Sequence, residues 1–159
     1  MIVIYHDIGG THSSVIAANM HLNRIPMDYV PDKNVLLNLP GFDRLEKYQW
    51  GHIIYRGEDE YGAKVYTLCR QYKPEIVVPA VTDMYLLLKG TVKGLYMVNT
   101  TPTVNWIMGI GGYSSRVLGF VPFGRPIVTY GALIAYPKIS KVVKELKNKM
   151  RSELDTAMP

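Results

Sequence analysis

Ten consecutive residues, Tyr5-His6-Asp7-Ile8-Gly9-Gly10-Thr11-His12-Ser13-Ser14, gather a carboxylate, two imidazoles, three aliphatic hydroxyls and a glycine pair. Adjacent glycines let the backbone come close to an anion, and hydroxyls add donors without a second charge to desolvate. The chemistry expected of this set is the binding of a phosphate by Gly9, Gly10, Thr11, His12, Ser13 and Ser14. If a reaction follows, Asp7 is the candidate base, or more remotely the nucleophile, and His12 the candidate acid. A plainer reading uses the same atoms to cap a helix start and satisfy its orphan N–H groups.

Spacing excludes the standard phosphate loops. A Walker loop needs a Lys-Ser/Thr pair after its glycines, and no lysine lies between Met1 and Lys33. A dinucleotide fingerprint needs a third glycine. Locally the stretch resembles the loop of low-molecular-weight tyrosine phosphatases, a strand, Cys-x5-Arg-Ser and a helix. Overlaid on it, Asp7 stands at the cysteine, Ser13 at the arginine and Ser14 at the serine. Thiolate and guanidinium are both missing, so the resemblance implies a loop shape without that chemistry. His6, Asp7 and His12 match no recognised zinc spacing, and no metal is expected. The sequence names no cofactor.

Elements must bring partners to this loop. Ile2-Val-Ile-Tyr is rich in β-branched residues and predicts a strand, and Val15 to Leu22 predicts a buried helix. Leu95-Tyr-Met-Val predicts a second strand ending in Asn99-Thr100-Thr101. If the two strands are parallel neighbours, Asn99 and Thr101 face the first loop across one crevice, where open α/β sheets hold ligands. Arg125, between glycine and proline in Phe123-Gly-Arg-Pro-Ile-Val-Thr-Tyr-Gly131, is a candidate to reach the same anion with its planar fork. Arg116 is a second arginine to consider, while His21 and His52 read as structural.

Between these points, Asn23 to Pro31 reads as a connection. Short helices are expected over Asp32–Leu39 and Phe42–Tyr48, separated by Pro40-Gly41. Strands at 52–56 and 63–68 flank a glycine-bounded acidic loop, as in a hairpin. A helix should begin between Pro74 and Pro79 and run to Leu88. Another should start at Thr101-Pro102 and carry Gly109, Gly111 and Gly112, whose spacing predicts close backbone approach to a neighbour. Phe120 to Pro137, with three prolines and two interior glycines, reads as irregular. The expected architecture is α/β: a single Rossmann-like domain over 1–151, about four mixed or parallel strands flanked by helices, and a flexible tail at 152–159.

Composition bounds the partners. The chain of 159 residues carries a net charge of +5. Six basic residues and one acid between Lys138 and Arg151 supply that surplus, since the remaining twelve basic and twelve acidic residues cancel. Ile139, Val142, Val143, Leu146 and Met150 form an apolar helical stripe there, so the lysines read as its solvated face. An interaction through this basic helix is the third functional class. No nucleic-acid signature accompanies it. The uncharged run Gly94–Ser115 is broken by a polar turn, which argues against a membrane span. Cys69 stands alone, which with the absence of a signal-like leader suggests a reducing, cytoplasmic setting.

The first loop, Asp59-Glu-Tyr-Gly62 and Gly124-Arg-Pro-Ile-Val-Thr129 together resemble a small, functionally uncharacterised family of single-domain proteins from clostridial and other spore-forming bacteria. The similarity runs from residue 1 to about 150. It implies a cytoplasmic bacterial protein and supplies no activity. The leading expectation is thus a protein that binds a phosphorylated metabolite or nucleotide at residues 7–14. The alternative is a phosphoryl-transfer or hydrolytic enzyme using Asp7 and His12.

Overall fold

In the computed structural model, which describes residues 1–157, the first strand lies inside a four-stranded sheet. Strands β1 (Ile2–Asp7), β2 (Ile53–Glu58), β3 (Lys64–Cys69) and β4 (Leu95–Asn99) take the order β2-β3-β1-β4. β1 pairs in parallel with both β3 and β4, and β2 closes the edge antiparallel to β3. The α/β class and the mixed sheet are as expected. In register, Asp7 lies opposite Cys69, and His6 lies between Leu68 and Asn99. Three strand ends therefore open on one edge.

Helix α1 (Ser13–His21) follows the loop and is buried along its whole length, which explains a sequence with no polar face. α2 (Lys33–Leu37) is capped by Asp32, whose side chain accepts the Asn34 N–H. α3 (Pro74–Lys89) starts on Pro74 and retains Pro79, but none of its residues is buried; Ile76, Met84, Leu87 and Leu88 are exposed. α4 (Trp106–Gly112) runs into a π-helical turn, Tyr113–Val117, and α5 (Val121–Ala157) completes the described chain. Among the described residues no helix is long and apolar enough to cross a membrane.

Three expectations need correction. Phe42–Tyr48 is not a helix: Gly41 and Asp43 take φ of +86° and +52°, and only Lys47–Gln49 forms a single 3-10 turn. The helix expected at Thr101 begins later. Thr101–Thr103 is one 3-10 turn, and Asn105 caps α4 by accepting the Met108 N–H at 2.9 Å. Phe120–Pro137 is helical from Val121, although Pro126 and Pro137 each remove a backbone donor. Burial outweighs that loss, because Val128, Ala132, Ala135, Tyr136, Ile139, Val143, Leu146 and Met150 form one stripe sunk in the core. Within the segment 152–159, where a flexible tail is expected, residues 152–157 are helical as the end of α5, and 158–159 lie outside the described residues.

The core joins Val3, Tyr5, Val65 and Tyr96 of the sheet to Ile16 and Met20 of α1 and to the α5 stripe. α4 and α5 meet backbone to backbone. A Cβ on Gly111 would stand 2.3 Å from Val128 N, and one on Gly124 would stand 2.4 Å from Ser115 N. Of the three glycines whose spacing predicted close backbone approach, Gly111 makes it, Gly112 lies against the His12 ring, and Gly109 meets nothing within 4 Å. The basic helix is largely paired within the chain: Lys144 with Asp28, Lys147 with Glu60, Lys141 with Glu145 and Lys149 with Glu153.

Candidate functional site

β1 ends in Asp7 because the β-branched run stops there and Gly9-Gly10 turn the chain into α1. Gly10 has φ +66°, and a Cβ would fall 2.5 Å from that of Cys69, so both backbone and space demand glycine. The loop folds around the Asp7 side chain. Ser13 Oγ donates to Asp7 Oδ2 at 2.6 Å, Ser14 N donates to the same oxygen at 2.9 Å, and Gly10 N donates to Oδ1. The anion at the start of α1 is therefore a side chain of the protein, buried and fully bonded. Ser13 Oγ also meets Thr100 Oγ1 at 3.0 Å, which ties the first loop to the end of β4.

His12 turns away from Asp7. Its Nε2 meets Asp43 Oδ1 at 3.0 Å, and its ring packs edge-on against Phe42. The Asp43 side chain is fully buried, and its other oxygen accepts the Ser115 hydroxyl at 2.6 Å. Burial alone would push the Asp43 carboxyl up. Hydrogen bonds from His12 and Ser115, with the charges of His12 and Arg116, hold it below its ordinary range. The π-helical turn makes this possible by setting Ser115 and Arg116 side by side over Asp43, and Arg116 donates to the Asp43 carbonyl. Arg116 Nε is buried without a hydrogen-bond partner.

These groups border a cleft of about 200 Å³ above the strand ends. Asp7, Gly9, Thr11, His12, Ser13 and Thr101 line its floor, and Arg116 enters from one side. Its walls include Trp50, Tyr72 and Tyr113. Gly112 also lines it; a Cβ there would come within 3.0 Å of His12 Cε1 and 3.4 Å of Nδ1. Gly112 therefore stands against the Nδ1 edge of His12, where only glycine leaves room for the ring, and Nδ1 has no hydrogen-bond partner among the described residues.

Behind the floor, Arg70 follows β3 and is 5% exposed. It donates to His6 Nδ1 at 3.1 Å, to the Gln71 carbonyl at 3.0 Å, to Asn99 Oδ1 at 3.3 Å and to Thr101 Oγ1 at 2.8 Å. This guanidinium stitches the ends of β1, β3 and β4 together. Among the described residues it has no carboxylate partner. Burial first, and then the Arg70 charge, lower the His6 pKa to about 4, against a smaller opposing effect from Asp7. His6 is thus a neutral acceptor for Arg70.

The sequence-expected residues therefore divide. Asp7, Gly9, Thr11, His12, Ser13 and Thr101 meet at the cleft. Gly10 shapes the loop from beneath. Ser14 supplies its N–H to Asp7, while its buried hydroxyl has no partner. Asn99 serves Arg70 and the Thr101 N–H. Arg125 is not brought to the cleft: it donates to the Leu37 carbonyl at 3.0 Å and lines a separate groove with Lys33 and Tyr130. His21 is structural, linking the Tyr5 hydroxyl at 2.8 Å to Asp59 at 2.9 Å inside the core. Among the described residues no three His, Cys, Asp or Glu side chains are grouped to hold a metal. Sequence reasoning missed Asp43 and Arg70. Asp43 carried no local signal, whereas Arg70 could have been found as the charged residue next after a buried strand.

Comparison with known proteins gives a family and no activity. A family described as protein of unknown function (DUF3189) matches residues 2–148, and the chain belongs to it. No curated protein and no solved structure matches the chain.

Proposed function

We propose that this DUF3189 member binds a small phosphorylated ligand, a nucleotide among the candidates, in the cleft above residues 7–14. The phosphate sits beside Arg116 and His12, not at the centre of the loop, where Asp7 already takes the inward donors. One observation carries the reading: Arg116 and His12 are anchored on the same Asp43 and both line a cleft with aromatic walls. The guanidinium offers a fork suited to phosphate oxygens, and Trp50, Tyr72 and Tyr113 offer faces for a planar body. Buried Arg70, held by neutral acceptors, adds positive potential beneath the strand ends.

The test is thermal melting with inorganic phosphate, AMP and glycerol phosphate at fixed ionic strength. Saturating ligand should raise the wild-type Tm by several degrees, because ligand that binds only the folded state stabilises it. Arg116→Gln should remove the rise. An unchanged Tm with all three compounds would overturn the proposal.

A second reading gives the cleft a reaction, phosphoryl transfer or hydrolysis, with His12 moving the proton. The His12–Asp43 contact favours it. Asp7 is less suited to acid–base work than its place in the sequence suggests, because both its oxygens already accept hydrogen bonds.

A further inference from the structure

We infer that His12 and Asp43 form an acid–base pair for hydrolysis of a phosphomonoester with a planar aromatic body, His12 being the catalytic residue and Asp43 its positioning residue. The inference rests on the binding proposed above and adds a reaction, a substrate class and a residue that the loop sequence does not contain.

The geometry assigns the ring atoms. Asp43 Oδ1 lies 3.0 Å from His12 Nε2, so the carboxylate fixes the proton of the neutral imidazole on Nε2. Nδ1 then carries the free lone pair, on the ring edge beside Gly112, and both residues line the cleft. Ser115 holds the second Asp43 oxygen, and Phe42 packs against the ring, so the pair is fixed before substrate arrives. A histidine that is oriented by a buried carboxylate, lines a cleft and keeps its other nitrogen unbonded is arranged for proton transfer.

The step balances without another reagent. A water oxygen attacks phosphorus as its proton passes to His12 Nδ1. The bond from phosphorus to the ester oxygen on the opposite side breaks, that oxygen takes a proton from solvent water, and the imidazolium gives its own proton back to solvent. Inorganic phosphate and the free alcohol or phenol remain, and His12 is again neutral. Arg116 faces the non-bridging oxygens, where it stabilises the charge of the transferring group. The aromatic body rests among Trp50, Tyr72 and Tyr113.

The experiment measures steady-state hydrolysis of para-nitrophenyl phosphate, AMP and glycerol phosphate by wild type, His12→Gln, Asp43→Asn and Arg116→Gln. Asparagine accepts the left-handed backbone that Asp43 adopts, so that variant keeps the fold, as circular dichroism should confirm. Expected are turnover of para-nitrophenyl phosphate and AMP, which each carry a planar aromatic group, above that of glycerol phosphate, and a loss of about 1000-fold in kcat for His12→Gln. Asp43→Asn should lose about 100-fold in kcat at nearly constant KM, whereas Arg116→Gln should raise KM and lower kcat together. Nitrogen-15 spectra should place the wild-type His12 proton on Nε2 and show that preference lost in Asp43→Asn, a change that a merely structural role would not produce.

Binding of phosphate without hydrolysis of any ester overturns this inference and leaves the binding proposal standing. Absence of both overturns both. Wild-type kcat in His12→Gln, or an unchanged ring tautomer in Asp43→Asn, overturns the assignment of the pair. Equal turnover of glycerol phosphate overturns the aromatic substrate class.

Discussion

The Ser13 hydroxyl donates to the Asp7 carboxylate at 2.6 Å, and two backbone N–H groups of the same turn converge on that carboxylate. A strand–loop–helix shape that elsewhere receives an anion from solution here supplies its own. Asp7→Ala should therefore cost about 3 kcal/mol, since it leaves buried donors without an acceptor. It should also open an anion site, so that sulfate or phosphate raises the Tm of the variant more than that of wild type. Melting curves across an anion titration check both points; a variant indifferent to anions would show that the loop collapses when the carboxylate goes.

His6 makes stability depend on pH in a defined direction. Its pKa falls to about 4 in the folded protein, against an ordinary histidine value of about 6.5 when unfolded. Between these values the unfolded chain binds the extra proton, so stability falls as pH drops from about 6.5 to about 4 and is fully present above that window. His21, also lowered first of all by burial, acts in the same sense. Urea midpoints measured from pH 8 to pH 4 should decline through this range. His6→Asn should flatten part of the slope, and an equally steep slope in that variant would remove His6 as its source.

The glycines of α4 should not be equivalent. Gly111→Ala places a methyl against Val128 N and should cost about 3 kcal/mol or more, since backbone on both sides cannot yield cheaply. At Gly109 a Cβ meets nothing within 4 Å, so Gly109→Ala should stabilise the helix by roughly 1 kcal/mol. Chemical denaturation of the two variants compares them directly, and similar values would contradict the close approach of α4 and α5.

Arg125 and Arg116 should separate by readout. Arg125→Gln removes a hydrogen bond to Leu37 and should lower stability by about 1 kcal/mol without altering the ligand-induced rise in Tm. Arg116→Gln should abolish that rise. Loss of the ligand response in Arg125→Gln would return that residue to the binding site.

The sequence made the centre of the candidate site readable and left the residues packed around it hidden. A β-branched run ending in paired glycines fixes strand, turn and helix locally, and the polar end of β4 suggests its partner. Asp43 was not readable. It comes 31 residues after His12, in a segment whose direction depends on left-handed turns at Gly41 and Asp43 itself. Nor was helix at 121–137, where two prolines oppose a helical assignment and only the buried stripe beyond them decides it. Arg116 could be named but not aimed, because it lies in a π-helical turn, whose wider winding moves its residues away from the positions that a 3.6-residue period would give.

One consequence of the long helix α5 concerns synthesis. β1 is made before the other strands of the sheet, yet the stripe that packs with Tyr5, Ile16 and Met20 lies on α5, which follows all four strands in chain order. The nascent sheet and α1 must therefore leave the ribosome with their apolar surfaces unsealed, awaiting a segment more than a hundred residues downstream of β1. Such distant contacts slow folding and prolong exposure to aggregation. Substitutions in the α5 stripe should thus depress soluble yield more sharply than their effect on the finished fold would suggest.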